Sequence, residues 1–254
     1  MRVLCVQGLQ AGAGGSTISA NLARMLLELN QKVLVFDLNP NNLLRLHFNM
    51  DWQDPSGWAF NLIQEKPWCV GFECEHGISF LPFGQLTYQT HQRLMVDYLD
   101  DNKLHHQLNS LDLPPESWLI LNITSEINPL NKQALALSHF ILRVFEPSVA
   151  SLSLLIDSMQ SSYILDNVAL SDKTFYLINK LIFHSELDHE MTLIFKSLLL
   201  NRLLPINIHF DENVKEAFAN KTTINTYAPA STVTREFRTL TIWLMSYFNR
   251  LMQS

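Results

Sequence analysis

The chain carries little charge and no long hydrophobic run, and each absence excludes a class of protein. Charged residues make up 17% of the 254 residues, with 18 basic against 24 acidic side chains and no basic block. Nucleic-acid binding relies on clustered cations that displace counterions, so no nucleic-acid partner is expected. An apolar stretch of about 18 residues, long enough to cross a membrane, is absent. The N-terminus also lacks the regions of a signal peptide, so we expect a cytoplasmic protein.

Cysteine is scarce as well, since the chain has only Cys5, Cys69 and Cys74. Cys5 falls in an apolar run and is expected in the core. The spacing of Cys69 and Cys74 is poor for a metal site, and no second pair completes one. We therefore expect reduced thiols, as in most cytosolic proteins. Hydrophobic residues form 47% of the chain, which argues against disorder and favours one large domain over residues 1–254.

Short apolar runs alternate with helical patterns along the chain. Strands are predicted at residues 2–7, 32–37, 78–81, 118–123, 140–145, 174–179 and 205–210. Helices are predicted at residues 17–30, 56–65, 90–110, 130–138, 148–165, 186–201, 212–219 and 232–251. Apolar strands between helices indicate a mainly parallel sheet covered on both faces, which is a three-layer α/β fold. Ligands bind such sheets beyond the carboxyl ends of the strands, here in the loops after Gln7, Asp37, Ile123 and Asn179.

The first of these loops is rich in glycine but contains no lysine. Its residues 9–17 read Leu-Gln-Ala-Gly-Ala-Gly-Gly-Ser-Thr and join the first predicted strand to the first predicted helix. This setting allows backbone N–H groups and a helix N-terminus to bind phosphate. The usual pattern, G-x-x-x-x-G-K-[ST], needs a lysine where this chain has Gly15 and a glycine where it has Leu9. The lysine normally neutralises the β- and γ-phosphates, so we expect a protein that holds a nucleotide without turning it over.

The loop resembles that of the MinD/ParA group of deviant P-loop ATPases, K-G-G-x-G-K-[ST]-T. On that template, Gln10 replaces the signature lysine, Ala11 the first glycine and Gly15 the second lysine. The remaining glycines and hydroxyl residues match, and they are Gly12, Gly14, Ser16 and Thr17. The resemblance implies the P-loop NTPase version of the α/β fold.

Three later loops extend the resemblance to the MinD/ParA group. Residues 37–41, Asp-Leu-Asn-Pro-Asn, align with the group's D-x-D-P-Q segment, so Asn39 replaces the aspartate that orients the attacking water. Asn122 stands where the Walker B strand ends in an aspartate that supports Mg²⁺ through water. Asn179 matches the asparagine that reads the adenine edge. Two carboxylates of the group are therefore replaced by amides.

Further segments narrow the resemblance to the BcsQ family of bacterial cellulose-synthase operons. They lie at residues 42–51, 57–59, 81–86, 202–212 and 217–221, and the second and third read Gly-Trp-Ala and Leu-Pro-Phe-Gly-Gln-Leu. The similarity runs in order over nearly the whole chain. Members of that family commonly have degraded catalytic positions. This chain departs further because it has lost both lysines and the Walker B carboxylate together.

The resemblance implies a weak site for ATP or ADP, with Mg²⁺ bound through Ser16. The implied nucleotide contacts are Gly12, Ala13, Gly14, Gly15, Ser16, Thr17, Asp37, Asn179 and Asp211. It also implies a homodimer, a small operon-encoded partner of the BcsR type and cellulose synthase components at the inner membrane, where the chain would be peripheral. The expected function is a non-catalytic assembly or localisation scaffold. The alternative is an active ATPase in which Arg45 or a second subunit supplies the missing charge.

Purely structural roles would also explain several of these features. The glycines suit a tight turn, Ser16 would serve as a helix N-cap, and Asp37 as a turn residue. The histidine-containing segment 184–190 is expected to be a solvated helix start rather than a metal site. The apolar face of the C-terminal helix is expected to pack on the sheet, although an amphipathic helix lying on a membrane is an alternative.

Overall fold

The computed structural model describes residues 1–73, 77–100, 102–126, 128–160 and 172–251. Seven strands form one sheet, and their bounds are β1 (Arg2–Gly8), β2 (Val33–Asp37), β3 (Phe72–Glu73), β4 (Ser79–Leu81), β5 (Trp118–Ile123), β6 (Phe140–Phe145) and β7 (Thr174–Ile178). Their order across the sheet is β3-β4-β2-β5-β1-β6-β7. Neighbours pair in parallel except β3, which runs antiparallel to β4 at the edge. The predicted α/β fold with a mainly parallel sheet is confirmed.

Helices cover both faces of this sheet. Their bounds are α1 (Gly15–Glu28), α2 (Trp58–Ile63), α3 (Tyr88–Asp97), α4 (Lys103–Asn109), α5 (Pro129–Leu137), α6 (Val149–Gln160), α7 (Glu186–Leu199), α8 (Glu212–Ala219), α9 (Ile224–Tyr227) and α10 (Thr232–Leu251). Successive residues of β1 point to opposite faces. Leu4 and Val6 pack with α1 and α10, whereas Val3 and Cys5 pack with α2, α3 and α5. Strand β1 thus contributes to two cores, which explains its continuous apolar sequence.

Most predicted strands are confirmed, but residues 205–210 do not form one. They run beside the end of β7 with only isolated contacts, in which Leu204 N–H donates to Tyr176 O at 2.9 Å and Ile208 N–H to Ile178 O at 2.9 Å. Pro205 has no N–H to donate, so a regular ladder cannot form there. The short edge strand β3 and the 3-10 turn at Leu44–Phe48 were not predicted.

The predicted helix over residues 90–110 is wrong, because two helices occupy this region. Helix α3 ends at Asp97 and α4 begins at Lys103. Gln133 of α5 donates its side-chain amide to the carbonyl oxygens of Tyr98 and Asp100, both at 2.7 Å. Those carbonyls are thereby satisfied outside a helical ladder, so the chain can turn. Of the predicted helix 148–165, residues 161–165 lie outside the described residues, as does Cys74.

The C-terminal helix packs on the sheet with its apolar face inward. Buried residues along α10 include Phe237, Leu240, Leu244 and Phe248. The ring of Phe248 lies 4.7 Å from that of Trp118 in β5, centroid to centroid. The hydrophobic stripe that sequence reasoning weighed as a membrane anchor is therefore used for internal packing. Among the described residues, no helix is long and apolar enough to cross a membrane.

Candidate functional site

The loop between β1 and α1 has the shape of a phosphate-binding loop. Gly12 and Gly14 adopt left-handed backbone conformations, with φ of 83° and 100°. Glycine adopts such angles without the steric cost that other residues incur. Helix α1 begins directly afterwards, and its N-cap is Gly14 rather than Ser16, so the N-cap role considered for Ser16 is excluded. Because α1 begins shortly after β1 ends at Gly8, its N-terminus lies at the carboxyl edge of the sheet, where a helix N-terminus favours an anion.

Asn122 lies at the centre of the residues that the sequence placed at this edge. Its Nδ2 donates to Asp37 Oδ1 at 2.7 Å and to Ser16 Oγ at 3.2 Å. Its Oδ1 accepts a hydrogen bond from Ser19 Oγ at 3.3 Å. The sheet explains the meeting of these residues, because Asp37 of β2 and Asn122 of β5 stand opposite each other in the parallel register. The amide thus ties the ends of two strands to the first turn of α1.

Asp37 is fully buried behind Asn122 and lines neither of the cavities described below. Burial raises the pKa of its carboxyl from 3.8 to about 7, against the opposing effect of hydrogen bonds from Asn122 and from the backbone of Asn39 and Leu44. The carboxyl is therefore partly protonated near neutral pH. Trp58 fixes the same residue from behind, because its Nε1 donates to Asp37 O at 2.7 Å.

The residues present do not fit the Mg²⁺ ion that accompanies nucleotide in the MinD/ParA group. A cation needs oxygen lone pairs, and Mg²⁺ in nucleotide sites commonly uses one or two carboxylates. Here Ser16 Oγ and Asp37 Oδ1 both accept hydrogen bonds from the amide of Asn122, which lies between them, and the other carboxylate oxygen, Asp37 Oδ2, is buried without a partner in the described part of the chain. Within the described part of the chain, no group of three or more His, Cys, Asp or Glu residues could hold a metal ion.

Asn179 and Lys180, at the end of β7, hold the loop from its other side. Asn179 Nδ2 donates to Ala13 O at 2.8 Å. Lys180 Nζ donates to Gly12 O at 2.7 Å and forms an ion pair with Glu146 Oε1 at 2.6 Å. Sequence reasoning predicted Asn179 but missed Lys180, although its position directly after Asn179 was a usable signal. The loop therefore keeps its shape through contacts from within the protein.

Two cavities flank the loop and collect most of the predicted residues. The first, of about 270 Å³, is lined by Gly12 to Thr17 together with other residues that include Gln10, Asn39, Asn41, Asn122 and Glu126. None of its described lining residues is a lysine or an arginine. The second, of about 170 Å³, is lined by Gly14, Thr17, Asn179, Lys180 and Asp211, among others. A phosphate in the first cavity would meet backbone N–H groups and amides but no lining cation.

Asp211 and Arg45 have structural roles in the described contacts. Asp211 is the N-cap of α8, where its carboxylate accepts from Asn213 N–H at 2.9 Å. The guanidinium of Arg45 donates to the carbonyl oxygens of Asn42 (3.2 Å), Asp51 (3.2 Å), Trp52 (2.8 Å) and Asp54. Arg45 thus organises the loop after β2, and it would have to break these bonds to reach a phosphate.

Solved structures with the same architecture support the fold. The cell division ATPase MinD of Pyrococcus furiosus aligns with a TM-score of 0.74 at 19% identity, covering 97% of this chain and 99% of that one. Cobyrinic acid a,c-diamide synthase of Mycobacterium smegmatis, solved with a bound ATP analogue and magnesium, aligns with a TM-score of 0.72 at 16% identity, covering 98% and 96%. These similarities show the P-loop NTPase fold.

Sequence relatives give the family. The protein described as cellulose biosynthesis protein BcsQ in Salmonella typhi is 30% identical over 247 residues, which span 96% of this chain and 94% of that protein. The protein of the same description in Escherichia coli K12 is 28% identical over 262 aligned positions, covering 99% and 97%. The family model for "Cellulose biosynthesis protein BcsQ" matches residues 1–245. The chain therefore belongs to the BcsQ family of cellulose biosynthesis proteins.

Proposed function

We propose that this chain is a non-catalytic accessory protein of bacterial cellulose biosynthesis and secretion. In this proposal it acts as an assembly or localisation scaffold for the synthase complex at the inner membrane. Its membership of the BcsQ family supports a role in cellulose biosynthesis. The geometry of the loop supports the absence of catalysis, because the fold of a nucleotide site is present without the side chains that stabilise a transferring phosphoryl group.

The observation that carries the proposal is the composition of the first cavity. Phosphoryl transfer is catalysed mainly by positive charge placed around the γ-phosphate. The described residues that line this cavity include Glu126 and several amides, but neither lysine nor arginine. Loss of one arginine-finger cation alone costs about 10³–10⁵ in rate. With Gln10 and Gly15 in place of both lysines, turnover would be negligible.

The alternative, an active ATPase with a replacement cation, would need a side chain such as Lys180 or Arg45, or a cation from a second subunit. Lys180 Nζ reaches the outside of the loop, yet it is bound to Gly12 O and to Glu146. Arg45 is committed to four backbone carbonyls. A replacement would therefore have to move one of these side chains or come from a second subunit.

The partners in this proposal follow from the family. They are a second copy of this chain, a small operon-encoded protein of the BcsR type and components of the cellulose synthase complex. The protein would then act in the cytoplasm and reach the inner membrane through these partners. The inward packing of α10 supports recruitment by partners over direct insertion of that helix.

Cellulose output in the bacterium that encodes this chain tests the proposal. Deleting the gene should lower Congo red binding, and the wild-type gene should restore it. The isosteric variant Asp37→Asn should restore it equally, because the introduced amide keeps an oxygen that accepts from Asn122. Restoration by the wild type but not by a stably expressed Asp37→Asn variant would indicate a catalytic role. Unchanged cellulose in the deletion strain would refute the assigned process.

A further inference from the structure

The side-chain amide of Asn122 is enclosed by oxygen atoms from three parts of the site. Asn122 is fully buried. Its Nδ2 contacts Asp37 Oδ1 at 2.7 Å and Ser16 Oγ at 3.2 Å, while its Oδ1 accepts from Ser19 Oγ at 3.3 Å. Ser19 in turn donates to Gly15 O at 2.9 Å. Both N–H bonds of the amide are therefore used at this junction, and its oxygen faces the hydroxyl of Ser19, whose single hydrogen is shared between Asn122 Oδ1 and Gly15 O.

Such an amide performs the positioning task of a cation without its charge. Two N–H donors draw a carboxylate and a hydroxyl oxygen together, as a divalent ion would draw them by coordination. An ion that entered between these oxygens would have to displace the amide and leave its buried N–H groups unpaired. Leaving buried donors unsatisfied is unfavourable, so the site resists the ion.

We infer that Asn122 replaces a divalent cation at the phosphate loop, so that an anionic ligand of this loop binds without Mg²⁺. The inference rests on the proposed non-catalytic function at the same loop. It also predicts that one substitution, Asn122→Asp, creates a cation site. That change removes the N–H donors, places a second carboxyl group beside Asp37 and frees the hydroxyl oxygen of Ser16.

Asn41→Asp is the matched control for this substitution. Asn41 is exposed and lines the same cavity, and its N–H donates to Asn39 Oδ1 at 3.0 Å. An aspartate there adds the same charge near the loop without removing the link between Ser16 and Asp37. An effect of Mg²⁺ seen with Asn122→Asp but not with Asn41→Asp would therefore report the junction itself.

The experiment has two readouts on the purified full-length chain. Calorimetry measures ADP binding in MgCl₂ and in EDTA, and thermal unfolding without nucleotide is followed in MgCl₂ and in KCl at equal ionic strength. For the wild type and Asn41→Asp, we expect ADP affinities within about twofold in the two buffers and no effect of Mg²⁺ on the Tm. For Asn122→Asp, we expect ADP binding to strengthen about tenfold or more with Mg²⁺, and the Tm to rise by about 2–4 °C.

The wild-type measurements decide the inference even if Asn122→Asp does not fold. ADP binding to the wild type that strengthens tenfold with Mg²⁺, or a wild-type Tm that Mg²⁺ raises selectively, would overturn it. If ADP binding is too weak to measure, the Tm comparison still decides. The proposed function fails in a different way, since ATP hydrolysis in EDTA would refute it and leave this inference intact. ADP binding that depends on Mg²⁺, without ATP hydrolysis, would refute this inference and leave the proposed function intact.

Discussion

The amide nitrogen of Asn122 lies 2.7 Å from Oδ1 of Asp37, and this contact joins the carboxyl ends of β5 and β2 directly below the glycine-rich loop. In the MinD/ParA pattern both of these positions carry aspartates, and the aspartate that Asn122 replaces supports Mg²⁺ through water. Here an amide donates to a buried carboxyl group whose pKa is raised to about 7 by burial. The amide thus holds Asp37 Oδ1 and Ser16 Oγ together at the base of the loop, while Asp37 Oδ2 is buried without a hydrogen-bond partner in the described part of the chain.

The buried carboxyl of Asp37 should make stability depend on pH. Its pKa is about 7 in the folded chain against 3.8 ordinarily, so the folded state holds a proton that the unfolded state has released. The stabilisation that this proton contributes to the folded state is complete below about pH 4, and it is lost as the pH rises through 7. We expect the free energy of unfolding of the wild type, relative to Asp37→Asn, to fall between pH 5 and pH 7.5 by up to about 1.4 kcal/mol per pH unit.

Urea unfolding of both proteins over this pH range measures the difference. Asp37→Asn is the appropriate reference because it keeps an acceptor oxygen for Asn122 and does not titrate. The comparison also cancels the contribution of His47, which is present in both proteins. Burial lowers the pKa of His47 to about 4, so its effect on the pH dependence of stability has the opposite sign. Parallel pH profiles for the two proteins would contradict the assigned environment of Asp37.

Gly14 should tolerate a methyl group far less than Gly12 does. Both have positive φ, so alanine is strained at either position. A Cβ at Gly14 would lie 2.3 Å from Asn179 Nδ2, whereas a Cβ at Gly12 would meet nothing within 4 Å. Gly14→Ala should therefore break the hydrogen bond between Asn179 and Ala13 O and cost about 1–3 kcal/mol more than Gly12→Ala. Chemical denaturation of the two variants measures this difference in the free energy of unfolding. Equal losses of stability would contradict the stabilising role given to the hydrogen bond from Asn179 to Ala13 O.

The sequence predicted most strands of the sheet, and it placed the candidate site residues at one edge of that sheet, while their roles toward a ligand stay predictions. The strands 118–123 and 140–145 are confirmed to the residue, because continuous apolar runs between helices leave little choice. The run 205–210 alternates apolar and polar residues as a strand does, but Pro205 and its place beside the end of β7 prevent a ladder. The amide of Asn179 donates to Ala13 O and the residue lines the second cavity, so its contact with a nucleotide stays a prediction. The positions of such residues at the ends of strands predict that they lie at the same edge of the sheet. They do not predict which atom each side chain contacts there.

Assembly should not respond to nucleotide. In the MinD/ParA pattern, a signature lysine reaches the partner's phosphates, and Gln10 cannot carry that charge. Any dimer of this chain must therefore be held by apolar and backbone contacts or by a small bound partner. We expect the same mass by light scattering with and without ATP and Mg²⁺, at several protein concentrations. A monomer that becomes a dimer only with ATP would favour the alternative of a switch-like ATPase.

ATP hydrolysis by the purified protein tests the central claim most directly. Gln10, Gly15, Asn39 and Asn122 stand where the MinD/ParA pattern has two lysines and two aspartates. The account predicts phosphate release from ATP and Mg²⁺ no faster than in a buffer blank, both for the wild type and for Asp37→Ala. Turnover by the wild type that Asp37→Ala abolishes would contradict it, because the activity would then belong to this site.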